Sequence, residues 1–294
     1  MAGPWRHRYV AANGARFHVA EAGPADGPLV LLLHGFPEFW WAWRRQLPVL
    51  AALRYRAVAM DLRGYGGSDK TPRGYDPATL SRDVVGVVRS LGARRAVLVG
   101  QSWGAYIAWT TAALHRSLVR GLAAVAAPHP LAMLSRPPLG LVHHLLSMQP
   151  PVLPERRIMA DQAVYVETLL RRWSAPGSGF PDAEAAGRYR GAMSVWPSPH
   201  CALEYHRWVV RSRLRRDGRW FVDAMRRPVT APVLEVVGAH DPVVRRAQLA
   251  RSPVHVDAPY AVHTVDDAGH FPHEEQPEQV NAVLLEWLQQ LPKG

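Results

Sequence analysis

One cysteine, Cys201, is all the chain carries. That excludes an intramolecular disulfide and fits a reducing cytoplasm, the expected location. Lysine is nearly as scarce: Lys70 and Lys293 are the only two among 35 basic residues, which outnumber 24 acidic ones for a net charge of +11. The excess is therefore arginine, densest across Arg207, Arg211, Arg213, Arg215, Arg216, Arg219, Arg226 and Arg227. No nucleic-acid recognition motif accompanies it, and a solvated face outweighs a nucleic-acid surface. Long apolar runs are missing too. Leu29–Leu33 falls far short of the ~20 residues that span a bilayer, and the opening MAGPWRHRYVAANG has no apolar stretch behind a basic start. Neither a membrane partner nor a secretory signal is expected.

What remains is an ordinary globular composition, 48% hydrophobic and 20% charged over 294 residues. That is enough to bury a sizeable core, as one large domain or one domain with an insertion. The first half alternates Leu- or Val-rich runs with helical stretches, the signature of a parallel sheet covered on both faces. Arg8–Val10 and Arg16–Glu21 read as an antiparallel pair turning at Asn13-Gly14. Strands follow at Leu29–Leu33, Tyr55–Met60, Arg95–Val99 and Gly121–Ala126, with helices at Ala78–Leu91 and Gly104–Ala113. From about Pro128 to Arg227 no strand pattern appears, only prolines, aromatics and helical segments such as Met159–Trp173 and Ala202–Leu214. Strands resume at Pro232–Val237 and Ala261–Val265, and Gln279–Leu291 closes the chain as an amphipathic helix. The expectation is an α/β fold: a mostly parallel, doubly wound, eight-stranded sheet with a helical lid inserted after the sixth strand. The core domain would comprise residues 1–127 and 228–294, and the lid 128–227. Such an insertion sits over the carboxyl edge of the sheet, where ligands bind in open α/β folds.

Gly100-Gln101-Ser102-Trp103-Gly104 lies directly between a strand and a helix. A serine hydroxyl is a poor nucleophile and must be presented in the open at a tight turn, which glycines two residues to either side permit. Ser102 then needs a base. His270, in Asp267-Ala268-Gly269-His270-Phe271-Pro272 after the last strand, can reach over the sheet edge. His273 is the rival, but Gly269 gives the backbone freedom to aim His270. An orienting acid is expected one short turn beyond the strand Pro232–Val237, at Asp241. The loop after the preceding strand, Ala127-Pro128-His129-Pro130, offers no carboxylate. A developing oxyanion needs preorganised donors. The backbone N–H of Trp103, opening a helix, and that of Phe36, in His34-Gly35-Phe36-Pro37, are the candidates. His34 reads as a structural residue beneath that loop.

At this point the stretches HGFPEFWWAWR (34–44), DLRGYGGSDK (61–70), GAHDPVV (238–244) and AGHFPHEEQPE (268–278), with the strand–turn–helix at 98–108, together resemble the epoxide hydrolase branch of the α/β-hydrolase superfamily. Haloalkane dehalogenases are close relatives. The resemblance covers about residues 5–127 and 228–291; it implies the same sheet and lid, and a cis Phe36-Pro37 bond. Two departures stand out. The branch carries aspartate at the position of Ser102. Its second ring-opening lid tyrosine, in a stretch like A-L-N-W-Y-R, is matched here by Ala202-Leu203-Glu204-Tyr205-His206-Arg207, which puts His206 in its place.

Carboxylate attack on an epoxide gives an ester that water can open, whereas serine attack would leave an ether. Serine in this scaffold therefore points to acyl transfer: hydrolysis of a carboxylic ester, thioester or lactone through Ser102, His270 and Asp241, with no metal or organic cofactor. The pocket is expected to take a small hydrophobic ester-like substrate, lined by Trp40, Tyr165, Trp173, Trp196, Tyr205 and His206 beside Phe36 and Trp103. The chain would be a monomer or homodimer. Three alternatives stay open: an epoxide hydrolase working by another mechanism, a non-catalytic ligand-binding scaffold, and a biosynthetic enzyme acting on one tailored ester or lactone.

Overall fold

The computed structural model describes residues 1–135 and 137–292. Arg136 of the expected lid and the last two residues of the expected core segment, Lys293 among them, lie outside the described residues. Eight strands form one sheet in the order β1-β2-β4-β3-β5-β6-β7-β8. They are β1 (Arg6–Ala12), β2 (Ala15–Ala22), β3 (Leu29–Leu33), β4 (Arg56–Met60), β5 (Ala96–Gln101), β6 (Val119–Val125), β7 (Val233–Gly238) and β8 (Tyr260–Val265). β1 pairs antiparallel with β2, and β2 with β4. From β4 onward every pairing is parallel.

The sequence dictates the central strands plainly. All five residues of β3 are buried, as are all of β5 and β7. A strand buried on both faces has no reason to alternate, so an unbroken apolar run is its natural form. Helices Pro77–Ser90 and Trp103–Leu114 cross between strands, the first capped by Asp76, whose side chain accepts from the Thr79 N–H at 2.9 Å. The first helix buries one stripe, while the second is buried almost all round, so β5 and its crossover sit deep in the protein.

Strand order reverses beside β3, whose neighbours are β4 and β5. At such a switch point, loops leaving the carboxyl ends of adjacent strands diverge to opposite faces and open a crevice. The loop after β3 and the turn after β5 border it.

Between β6 and β7 the described residues form helices Pro130–Leu134, Leu139–Ser147, Leu153–Trp173, Ala183–Met193, Ser198–Arg211 and Arg216–Met225, and no strand. The long helix begins earlier than its periodicity suggests, with Pro154 in its first turn, and departs from helical backbone at Ala160–Ala163. The segment expected as Ala202–Leu214 is an α-helix ending at Arg211, followed by a 3₁₀ turn at Ser212–Leu214. No helix among the described residues is long and apolar enough to cross a membrane.

Candidate active site

Ser102 sits between β5 and the helix Trp103–Leu114 at φ +49° and ψ −113°. A positive φ costs a β-carbon-bearing residue energy that the surroundings must hold in place. Here the flanking segments do so by close approach. A β-carbon at Gly104 would fall 2.0 Å from the Leu33 carbonyl oxygen, and one at Gly35 would fall 2.8 Å from the Ser102 Cβ. The helix start, the end of β3 and the loop after it are thus pressed together, and only glycine fits at either position. The Phe36-Pro37 bond in that loop is cis, as the family resemblance implies.

His270 and Asp241 arrive from β8 and β7. His270 Nδ1–H donates to Asp241 Oδ2 at 2.9 Å, which leaves Nε2 to accept from the Ser102 hydroxyl at 3.1 Å. Both the His270 and Asp241 side chains are fully buried. The second carboxylate oxygen, Oδ1, accepts from the backbone N–H of Val243 at 2.7 Å and Val244 at 3.1 Å, so the carboxylate is fixed from two sides. An imidazole held in this tautomer can take a hydroxyl proton as the oxygen attacks and return it to a leaving group.

The loop carrying His270 is anchored by groups that sequence reading passed over. Glu275 accepts from the N–H of Gly269 (3.0 Å), Phe271 (3.0 Å) and Ala175 (2.7 Å). The His270 N–H donates to the Trp173 carbonyl at 2.7 Å, and Gln101 Nε2 donates to the His270 carbonyl at 2.8 Å. The rival His273 lies elsewhere: buried against the Trp43 ring, its Nε2 is 3.4 Å from Glu38. His34 donates from Nδ1 to the Gly35 carbonyl and accepts the Leu62 N–H at Nε2, so both ring nitrogens are spent on the loop. Its burial lowers its pKa. Among the described residues, the backbone N–H groups of Phe36 and Trp103 have no acceptor. They flank Ser102 and are free to receive a developing negative oxygen.

A cavity of about 160 Å³ opens over Ser102, walled by apolar side chains including Phe36, Tyr106, Met133, Leu145 and Val209. Trp173 and His206 line it as expected. His206, Val209, Val210 and Arg213 follow the i, i+3, i+4, i+7 spacing that aligns one helical face, here continued into the turn after Arg211. The neighbouring Tyr205 points away from the cavity: its hydroxyl donates to the Arg63 carbonyl at 2.7 Å and its ring braces Trp103 from behind.

Three other residues expected in the pocket stand outside the cavity wall. Trp40 packs on Trp5, His7 and His18 in a separate cleft, with its backbone N–H tied to Asp61. Tyr165 is half-buried beneath the Arg157 guanidinium. Trp196 is 60% exposed and faces another hollow beside Val152 and Met159. Aromatic character signals packing, and which face of a helix meets the cavity is decided by tertiary contacts.

The polar lining is unusual for so apolar a chamber. His206 donates from Nδ1 to the Ala202 carbonyl (3.0 Å) and accepts the Trp103 indole N–H (3.2 Å), and burial pushes its pKa down to about 4. His144, which sequence reading missed, packs its ring between Trp173 and His206. Its Nε2 is buried without a partner, and burial, with His206 and His270 nearby, pushes its pKa well below the usual value. Both rings are therefore neutral at physiological pH. Among the described residues no His, Cys, Asp or Glu cluster is arranged to hold a metal ion.

Residues 28–277 match the family model described as alpha/beta hydrolase fold. The chain is an α/β-hydrolase. Within that family it lies in the epoxide-hydrolase-like branch. It is 32% identical to Epoxide hydrolase A of Mycobacterium tuberculosis, with 96% of each chain covered. It is 31% identical to the AB hydrolase superfamily protein YfhM of Bacillus subtilis, covering 96% of this chain and 97% of that one. In structure, this hydrolase superposes on Epoxide Hydrolase A from Mycobacterium thermoresistibile with a TM-score of 0.85 at 28% identity, over 99% of this chain and 100% of that chain. Cfl2 from Burkholderia cenocepacia gives 0.83 at 30% identity, over 97% and 96%.

Proposed function

We propose that this α/β-hydrolase cleaves a carboxylic ester, or the related thioester or lactone, through an acyl-enzyme on Ser102. The observation that carries the reading is the continuous chain from Ser102 Oγ to His270 Nε2 (3.1 Å) and from His270 Nδ1 to Asp241 (2.9 Å). His270 takes the hydroxyl proton as Ser102 Oγ bonds to the substrate carbonyl carbon. The carbonyl oxygen becomes an oxyanion received by the N–H groups of Phe36 and Trp103. When the tetrahedral centre collapses, the bond to the leaving group breaks and His270 delivers its proton to that group. A water, deprotonated by the same imidazole, attacks the acyl carbon and releases the acid, regenerating Ser102. Asp241 holds the tautomer and stabilises the imidazolium throughout. The apolar walls favour a small hydrophobic acyl or alkoxy group. This mechanism calls for no cofactor.

The relatives' names favour a second reading, epoxide ring opening. Two features weigh against it. Attack by Ser102 on an epoxide carbon would give an ether, with no carbonyl for water to enter. His206, standing where the branch has a tyrosine, uses its Nε2 to accept from Trp103 and has no proton there to give a ring oxygen. A fluorophosphonate probe with mass-spectrometric mapping tests the first reading: Ser102 is labelled in the wild type and not in His270→Ala. Turnover of styrene oxide that survives Ser102→Ala would establish the second in its place. Absence of labelling near neutral pH, with tight ligand binding retained, would leave a binding scaffold.

A further inference from the structure

The mouth of the cavity carries an arrangement that ester hydrolysis does not require. The helix Leu139–Ser147 packs against Ser198–Arg211, and Gln149 and Arg211 tie their ends together: Gln149 Nε2 donates to the Leu145 and His206 carbonyls, and Arg211 donates to the Gln149 carbonyl. Leu146 and Arg213 both line the cavity and both reach solvent. Leu146 is 56% exposed; Leu139, two helical turns before it, is 82% exposed, and Leu214, next to Arg213, is 92% exposed. Leucines this exposed gain hydrophobic stabilisation when something covers them.

Interleaved with Leu214 are Arg211, Arg213, Arg215, Arg216 and Arg219, all exposed, against a single acid in that span, Asp217. Among the described residues Arg213, Arg215, Arg216 and Arg219 form no ion pair, whereas Arg226 further along pairs with Asp223. Arginine abundance alone reads as solvation. Exposed leucines on the two segments that carry Leu146 and Arg213 to the wall of an apolar chamber, one of them flanked by unpaired arginines, do not.

We infer that this rim docks on an anionic lipid surface, with Leu139, Leu146 and Leu214 entering the headgroup–acyl boundary and the arginines meeting lipid phosphates. The chamber then takes its apolar substrate directly from the bilayer. A second copy of the chain is the poorer occupant, because an isologous contact would bring two such cationic patches face to face. A protein partner would call for a shaped groove, whereas these leucines stand singly. The contact is peripheral, since among the described residues no helix is long and apolar enough to cross the membrane. This revises the expectation of a chain without a membrane partner, and it holds whether or not Ser102 is a nucleophile.

The test is co-sedimentation of the full chain with vesicles of phosphatidylcholine, alone or with phosphatidylglycerol, at low and high salt. Binding is expected on the anionic vesicles only and falls with salt. Each of Arg213→Glu and Arg215→Glu should weaken it at least about fivefold, as should Leu214→Asp. Leu214 touches almost nothing in the fold, so its variant should melt with the wild type. Ser102→Ala should bind undiminished, which separates this proposal from the hydrolytic one. Equal partitioning onto neutral vesicles, no binding at all, or indifference to Leu214→Asp would overturn it. So would self-association abolished by the same variants without vesicle binding.

Discussion

Glu275→Gln isolates the anchoring of the histidine loop. The carboxylate accepts three backbone N–H groups from two segments, Gly269 and Phe271 on the loop and Ala175 just past the long helix Leu153–Trp173. Glutamine keeps the size but has only one accepting oxygen. The less costly orientation turns that oxygen to Gly269 and Phe271 and sets the amide nitrogen against the Ala175 N–H, formerly bonded at 2.7 Å. A hydrogen bond to a charged group is lost, worth about 1.5–3 kcal/mol, and a buried donor is left unmatched. A destabilisation of about 2–4 kcal/mol follows, a fall of roughly 5–15 °C in Tm for a protein of this size. Turnover of an aryl ester should drop with it, because His270 lies between two of the three anchored N–H groups. Thermal unfolding and steady-state kinetics on the purified variant are the measurements. A Tm within about 2 °C of wild type, with kcat unchanged, would refute the anchoring role.

Asp241→Asn should leave the fold intact and lower kcat by about 10³–10⁴ on an aryl ester, because the amide can hold His270 in the wrong tautomer; a loss under tenfold would count against the triad. Ser102→Asp should abolish the proposed ester hydrolysis without creating epoxide turnover on styrene oxide, since His206 offers no proton at Nε2; appearance of the diol would refute that argument. Gly104→Ala, with its new methyl aimed at the Leu33 carbonyl, should cost at least about 2 kcal/mol in urea unfolding and disturb fluorophosphonate labelling. Glu235, buried in β7 and pushed up to about 8, stays protonated in the fold while the unfolded chain ionises above its ordinary value. Its contribution is therefore present at low pH and lost as pH rises from about 4.5 to about 8, so Glu235→Gln should gain stability over wild type near pH 8 and little near pH 5. His206 works in the opposite sense: its neutral burial is lost as pH falls from about 6.5 towards 4.

The sheet was legible because burial on both faces leaves an uninterrupted trace, as in Leu29–Leu33. Strand ends were less so: β5 runs on through Gly100 and Gln101 to the turn itself, because ladder pairing with β6 overrides glycine's weak strand preference. Ser102, Asp241 and His270 could be singled out since each follows a strand that ends at the same edge, so chain order encodes their meeting. The chamber walls could not be read this way. Tyr205 and His206 are adjacent, yet only one faces the cavity, and the choice rests on how the helix Ser198–Arg211 is rolled against Trp103. His144 stood beside His143 with nothing in the spacing to separate them. Glu275 was masked by Glu274, which instead pairs with Arg44.

Trp103 has its backbone at the elbow and its indole in the grip of His206, a residue of the helical insertion. Separation of that insertion from the sheet would sever this bond and strip a neutral imidazole of its donor. The fluorescence of one native tryptophan, isolated as the difference from a Trp103→Phe protein, would then report each opening of the chamber as it happens.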